Sequence, residues 1–253
     1  MFSITKEGVF KLLHSFNGSD GAQVGSGLTA SEESIFYGTI QVGGLNGWGT
    51  VFAINPQGTL ATLHNFAKSD GGYSYAAPIE GSDRNFYGTT GYGGENDSCH
   101  NSCGTVFSMT PDGTLVTLHS FDGSDGYIPT SGLLQATSGM LYGTTAEGGD
   151  FSCSPPVGCG TLFAFNQGLL PFVAFMRGYG KVGQSGGILG QGLTGTTSVT
   201  LNGIAASFRV VSDTYLTATI PPGATTGYAT VTTPTVTTPT GTLTSNKKFV
   251  VLP

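Results

Sequence analysis

The side chains best suited to chemistry in this chain are four cysteines, which occur as two closely spaced pairs, Cys99 with Cys103 and Cys153 with Cys159. In an oxidising compartment such pairs form one disulfide within each loop, although pairing between the loops and free thiols are the alternatives. A zinc site that includes His100 is a further alternative, but these spacings match no common zinc knuckle. We therefore expect one disulfide in each loop.

Histidine and aspartate recur at matching positions along the chain. Each histidine follows a leucine on a separate predicted strand, which indicates a repeated packing and hydrogen-bonding position instead of a metal centre. Each aspartate stands in a Ser-Asp-Gly turn, where its carboxylate can bind nearby backbone. The sequence around Asp122 and Asp125 comes nearest to a calcium loop but lacks a later Glu; a turn is expected, with calcium as the alternative. The repeated residues are His14, His64 and His119, and Asp20, Asp70 and Asp125.

Recognised catalytic motifs are missing from the sequence. There is no HExxH motif and no phosphate-binding loop, and the Gly-x-Ser-x-Gly at 183–187 does not join a parallel strand to a helix. Glu95 and Glu147 occupy loops of successive repeats and could supply the two carboxylates of a glycoside hydrolase or a lyase. Loop polarity explains both residues equally well, so an enzyme is only the alternative function.

Aromatic residues outside the repeated motifs are better candidates for binding. They fall in loops that the strand order places on one face, together with the cysteine loops and the Ser-Asp-Gly turns. Loops on one face of a rigid scaffold commonly bind ligands, and exposed aromatic rings stack on sugars or anchor proteins. The candidate ligand-binding residues are Trp48, Tyr73, Tyr92, Tyr127 and Phe151.

The elements that must position these residues are strands of a tandem repeat. Gly-Thr-(Val/Leu)-Phe, Leu-His-(Ser/Asn)-Phe, Ser-Asp-Gly and Tyr-Gly-Thr recur along residues 1–177. The repeat at 76–121 predicts four strands separated by turns, and its Gly-Thr-Val-Phe strand is apolar on both faces. Four antiparallel strands covered on both sides describe a propeller blade. The predicted blades are the last two strands within 2–16 and full blades at about 27–66, 76–121 and 131–175.

Three and a half blades do not close a ring well. The chain opens inside a strand, because Met1-Phe2-Ser3-Ile4 aligns with Val51-Phe52-Ala53-Ile54. We expect an array that is truncated at its N-terminus, with a homo-oligomer that completes the ring as the alternative.

The repeats resemble the GloVer tandem repeats of bacterial surface and secreted proteins. The resemblance rests on Gly104-Thr105-Val106-Phe107, Leu118-His119-Ser120-Phe121 and Leu141-Tyr142-Gly143-Thr144-Thr145, and it covers about residues 1–175. It implies a propeller-like array on exported proteins and no established activity. Ala174 stands where the repeat has histidine, so the array is expected to end there.

Residues 178–253 are richer in Thr, Gly and Val and are similar to the IPT/TIG family of immunoglobulin-like domains. The motifs that carry this similarity are Val199-Thr200-Leu201-Asn202-Gly203, Ile220-Pro221 and Gly223-Ala224-Thr225-Thr226-Gly227. The resemblance implies a β-sandwich that acts as a spacer or adhesion module. A duplicated Val-Thr-Thr-Pro-Thr at 231–240 predicts a protruding loop, because two prolines prevent a regular central strand.

Composition limits the possible partners. The net charge is -6, only 9% of residues are charged, and Lys247-Lys248 is the longest basic run, so nucleic acid is not an expected partner. No apolar run is long enough to span a bilayer. The expectation is an all-β extracellular or cell-surface module that needs no cofactor and binds a polysaccharide or a surface protein. A purely structural surface component is a further alternative.

Overall fold

The computed structural model describes residues 1–31, 33–234, 238 and 241–253. Within these residues the chain is all-β, with short strands and no helix. The strands belong to two compact units, one made of Met1–Leu134 with Tyr142–Ala164, the other of Gln135–Leu141 with Phe165–Pro253. None of the described residues forms a helix of the length and apolarity that crossing a membrane needs.

Two repeats of the first unit are complete four-stranded antiparallel sheets, as the sequence predicts. In each sheet the strands lie side by side in chain order. The two central strands carry the Tyr-Gly-Thr and Gly-Thr-Val-Phe motifs and are almost entirely buried. The strands are β3 (Thr29–Ala30), β4 (Phe36–Ile40), β5 (Thr50–Ile54) and β6 (Leu60–Asn65) in one sheet, and β7 (Ile79–Glu80), β8 (Phe86–Thr90), β9 (Thr105–Met109) and β10 (Leu115–Ser120) in the other.

The first repeat contributes a two-stranded sheet of β1 (Phe2–Ile4) and β2 (Phe10–Leu12). The apolar face of this hairpin is open to solvent, and Phe2 is 63% exposed. Phe52 occupies the equivalent position in the next repeat and is fully buried, because residues of the first repeat that include Phe16 pack against it. Each repeat thus covers the apolar face of the repeat that follows it.

The fourth repeat forms only three strands, so the prediction of a complete blade over 131–175 was wrong at its last strand. Pro171 lies at the position of that strand and lacks the N–H that a ladder needs. The segment that follows it joins the second unit, where Val173 is fully buried in the core. The strands of the fourth repeat are β11 (Leu134–Gln135), β12 (Leu141–Thr144) and β13 (Leu162–Phe165).

Aromatic rings connect neighbouring sheets of the first unit in the same way each time. The phenylalanine of Leu-His-x-Phe in one repeat meets the phenylalanine of the Gly-Thr-(Val/Leu)-Phe strand in the next, edge to face. Phe66 and Phe107 form this contact with their ring centroids 5.5 Å apart. Such geometry stabilises an aromatic pair beyond the burial of its area. The equivalent pairs are Phe16 with Phe52 at 5.5 Å and Phe121 with Phe163 at 5.2 Å.

The second unit contains two four-stranded sheets and a parallel pair. One sheet has the strand order β14 (Ala174–Phe175), β16 (Ser185–Leu189), β20 (Tyr215–Thr219) and β19 (Phe208–Ser212). The other has the order β18 (Ile204–Ala205), β17 (Ser198–Leu201), β21 (Ala229–Thr232) and β22 (Thr242–Thr244). The parallel pair is β15 (Tyr179–Lys181) with β23 (Val250–Leu252). Both sheets contribute to one buried cluster that includes Ile188, Leu216, Val199 and Val231. A loop was predicted over the duplicated pentapeptide at 231–240, but Val231 and Thr232 belong to a strand. Residues 235–237, 239 and 240 lie outside the described residues.

Candidate functional site

A histidine–aspartate pair holds the Ser-Asp-Gly turn of each of the first three repeats. Nε2 of His119 lies 2.7 Å from Oδ2 of Asp125, and the other oxygen of this carboxylate accepts the Asp122 N–H at 2.9 Å. The imidazole edge also packs on Phe121, with ring centroids 4.9 Å apart. The repeated histidines and aspartates are therefore parts of a turn, as the sequence predicts. The equivalent pairs are His14 with Asp20 at 2.7 Å and His64 with Asp70 at 3.0 Å.

The segment considered for calcium is also explained by this turn. Oδ1 of Asp122 accepts the N–H and the hydroxyl of Ser124 at 2.9 and 2.6 Å and the N–H of Asp125 at 3.2 Å. The Ser124 hydroxyl and the Asp125 N–H lower the pKa of Asp122. No three His, Cys, Asp or Glu side chains among the described residues are grouped so that they could hold a metal ion.

The turn needs glycine immediately after the aspartate. Gly126 has a φ of +151°, and a Cβ on it would lie 2.5 Å from Cγ2 of Thr145. The close approach lets Thr161 donate its hydroxyl to the carbonyl oxygen of Asp125 at 2.9 Å, which ties the turn to the next sheet. The Ser-Asp-Gly motif is thus a connection between successive repeats.

The four cysteines form the two disulfides expected from their spacing, Cys99–Cys103 and Cys153–Cys159. Each bond closes a short loop between the two central strands of its repeat. Cys103 is fully buried. In the preceding repeat Trp48 stands at the corresponding position before the glycine of Gly-Thr. A disulfide in two repeats and a tryptophan in another thus occupy the same place in the framework.

Four of the five predicted binding residues lie in one continuous row of rings. Trp48 contacts Tyr73, Tyr73 contacts Tyr92, and Tyr92 contacts Tyr127. The successive centroids are 5.5, 5.4 and 6.1 Å apart, and every contact is edge to face. All four side chains are partly exposed. The structure therefore brings together residues that lie up to about eighty positions apart in the chain.

The backbone of the row is strained at a repeated position. Tyr73 has a φ of +52°, and Gln23 and Ile128 at the equivalent positions have φ values of +59° and +54°. Left-handed backbone is uncommon for residues other than glycine, and for a β-branched residue such as Ile128 it is an outlier. Such strain persists only where the surrounding structure imposes it. At Tyr73 this conformation accompanies the placement of the ring between Trp48 and Tyr92.

The row ends in a cleft of about 440 Å³ between the two disulfide loops. Tyr127 forms one wall, and its hydroxyl donates to the carbonyl oxygen of His100 at 3.2 Å. Burial, followed by the neighbouring Tyr92 and Glu147, raises the pKa of the Tyr127 hydroxyl. Phe151, the fifth predicted binding residue, is 45% exposed and lines the same cleft. The complete lining is Ser98, Cys99, His100, Asp122, Gly123, Ser124, Tyr127, Phe151, Pro156 and Val157.

The two glutamates considered for catalysis are placed differently from each other. Glu95 is exposed, and its backbone N–H binds the Ser120 hydroxyl at 3.3 Å. Glu147 is half-buried, and its backbone pairs with that of Tyr127 through bonds of 2.8 and 2.9 Å. Neither residue lines the cleft. Sequence reasoning did not select His100, Pro156 and Val157 as cleft residues, although they lie inside or beside the predicted disulfide loops.

Comparison with known protein families matches residues 1–210 to the model of the Gloeobacter/Verrucomicrobia repeat. No curated protein matches the chain. One similar solved structure is a fungal alcohol oxidase of the AA5 family in complex with copper, at 15% identity and a TM-score of 0.35, covering 86% of this chain and 51% of the oxidase. Another is SGBP-B from a complex xyloglucan utilization locus in Bacteroides uniformis, at 11% identity and a TM-score of 0.26, covering 88% and 49%. The chain spans about half the length of each, and these similarities assign neither fold nor activity to it.

Proposed function

The chain belongs to the Gloeobacter/Verrucomicrobia repeat family, and from this premise we propose that it is an extracellular or cell-surface module that binds a polysaccharide through the loop face of its repeats. The observation that carries the proposal is the row of four contacting aromatic rings that ends in the cleft beside Phe151. Partly exposed rings side by side can stack on successive sugars. Framework residues such as Phe107 are fully buried, whereas these four rings are partly exposed.

The arrangement of the strands supports a rigid scaffold for that surface. Each complete repeat is a four-stranded antiparallel meander that packs on the next through the same aromatic contact, and this arrangement supports the proposal of a propeller-like array. In the second unit two four-stranded sheets share one core, as expected of an Ig-like sandwich. In this proposal the repeats bind and the sandwich acts as a spacer.

The two disulfides support an extracellular location. Disulfides persist in secreted and surface proteins and are rare where thiols are kept reduced. Both bonds stabilise loops that form the walls of the cleft instead of the core of a sheet. The oxidising compartment would thus be a requirement of the binding surface itself.

Calorimetric titration with a panel of oligosaccharides tests the proposal. Tyr92→Ala and Tyr127→Ala each remove one ring from the row, and we expect each to weaken binding by about threefold to tenfold. Tyr142→Ala is the matched control, since Tyr142 is an exposed tyrosine of the same unit that lies on a strand outside the row. Thermal unfolding confirms that each variant is folded.

Three outcomes would be decisive for this proposal. Weaker binding by the two row variants with an unchanged control supports it. Unchanged binding by both row variants contradicts it, as does the absence of any response from wild type across the panel. A surface protein as the partner would be indicated by binding to cell-wall protein extracts that persists after their glycans are removed.

A further inference from the structure

The stretch of the chain that forms the cleft has an unusual distribution of charge. From Asn85 to Met176 the sequence contains no lysine and no arginine. Carboxylates recur throughout the same stretch, so its charge is strongly negative even though the whole chain carries only -6. These acidic residues are Glu95, Asp97, Asp112, Asp122, Asp125, Glu147 and Asp150.

The structure gathers several of these carboxylates around the binding surface. Asp122 lines the cleft. Glu147 lies close enough to Tyr127 to contribute to the raised pKa of its hydroxyl. Asp150 precedes Phe151 in the chain, and Phe151 lines the cleft. Lys68 brings a positive charge to this region from outside the stretch, and its ammonium lies 3.0 Å from Oδ1 of Asp97.

Asp122 and Asp150 remain ionised under mildly acidic conditions. Hydrogen bonds from Ser124 and the backbone lower the pKa of Asp122, and the hydroxyl and N–H of Ser152 lower the pKa of Asp150. An aromatic face attracts an ammonium group through its quadrupole. Carboxylates and aromatic faces therefore favour the same kind of ligand group, a cation, and the carboxylates repel an anionic ligand.

We propose that the ligand of this surface is a polysaccharide with free amino groups, whose sugar rings lie along the aromatic row and whose ammonium groups face Asp122 and its acidic neighbours. This inference rests on the proposed function and specifies its ligand. A lysine-rich peptide would meet the same carboxylates, but it has no flat ring to place against each aromatic side chain. The row therefore favours the glycan.

The test compares two hexasaccharides that share one backbone, a glucosamine hexamer with free amines and the neutral N-acetylglucosamine hexamer. Calorimetry is performed at a pH where the amines are protonated. We expect the amine form to bind about tenfold more tightly at low salt. That advantage should shrink as added salt shortens the Debye length from about 30 Å to about 3 Å. Oligogalacturonate, an anionic glycan, should bind least.

The chain supplies a conservative variant for this experiment. In the first repeat Asn17 holds the place of Asp122, and its Oδ1 accepts the same bonds from Ser19 and Asp20. Asp122→Asn thus removes a charge while the turn is kept, and we expect about threefold weaker binding of the amine form and a smaller loss of binding for the acetylated form. Asp112→Asn is the control, since Asp112 follows the opposite end of β9.

The possible outcomes separate a failure of the inference about the ligand from a failure of the proposed function. Equal or tighter binding of the acetylated hexamer overturns the inference while leaving a glycan-binding module. Tighter binding of a poly-lysine peptide than of the glucosamine hexamer overturns it in favour of a protein partner. Equal losses in Asp122→Asn and Asp112→Asn also overturn it. Failure of every glycan to bind overturns the proposed function itself.

Discussion

Replacement of Gln23 by glycine should stabilise the protein, although glycine usually destabilises ordered structure. Gln23 is exposed and adopts a φ of +59°. It stands at the repeated left-handed position, where the other repeats place Tyr73 and Ile128. Because Gln23 lies outside the aromatic row, its substitution probes the backbone conformation without removing a ring.

The magnitude follows from two opposing contributions. A left-handed conformation costs a residue with a Cβ about 1–2 kcal/mol, and glycine escapes this cost. Glycine in turn loses more conformational freedom on folding, which costs about 0.5–1 kcal/mol. We therefore expect Gln23→Gly to raise the free energy of unfolding by about 0.5–1 kcal/mol, and the unfolding midpoint of a unit of this size by about 1–4 °C.

The assay uses the single tryptophan of the chain. Trp48 lies in the first unit, so its emission during urea or thermal unfolding follows that unit without a contribution from the second. Gln57→Gly is the control, because Gln57 is equally exposed in a hairpin turn but its φ is not positive. The control should lower stability by about 0.5–1 kcal/mol. Equal destabilisation by both substitutions would refute the argument from strain.

Phe107→Ala removes a fully buried ring and should lower the free energy of unfolding by about 3–5 kcal/mol. Val116→Ala, at an exposed position of the adjacent strand, should change it by less than about 0.5 kcal/mol; urea titration measures both. The Ser124 hydroxyl lowers the pKa of Asp122 in the folded protein. Ionised Asp122 therefore stabilises the fold at a pH above its pKa in the unfolded chain, and this stabilisation is lost as the pH falls through its pKa in the folded protein. Asp122→Asn should therefore flatten the loss of stability on acidification, as measured by thermal melts over a pH series. Replacing both Cys153 and Cys159 by serine opens a short loop, should cost about 2 kcal/mol and should weaken ligand binding in calorimetry. A reductant opens both disulfides of wild type and should therefore have at least this effect.

Much of the scaffold could be predicted because each repeated motif performs one physical task. Gly-Thr-Val-Phe is apolar on both faces and forms a buried central strand, as β9 shows. The Ser-Asp-Gly turns were predicted from the local bonding of aspartate, and the bonds of Asp125 confirm them. The fate of the final strand of the fourth repeat could not be predicted from the repeat alone, because Val173 is buried in the core of the second unit.

The candidate site was predictable only as a set of residue types. The loop aromatics could be selected because they break the repeat, but their order of contact depends on angles between sheets that no motif encodes. The edge-to-face contact of Tyr92 with Tyr127, two residues from successive repeats, is such a case. The left-handed backbone at Tyr73 also could not be predicted from the sequence, since a tyrosine does not indicate a positive φ.

The correspondence between Ala22, Gly72 and Tyr127 has a consequence for engineering. Each pairs through its backbone with a residue of the neighbouring loop, namely Val42, Tyr92 and Glu147. Main-chain bonds hold these pairs, so side chains as different as a methyl group, a phenol and a carboxylate are displayed from one geometry. A combinatorial library randomised at the pairs Ala22–Val42 and Tyr127–Glu147 would vary recognition while the scaffold stays fixed, much as antibody loops vary on a constant framework. Gly72 would be kept, because a Cβ there would lie 2.5 Å from Cε3 of Trp48.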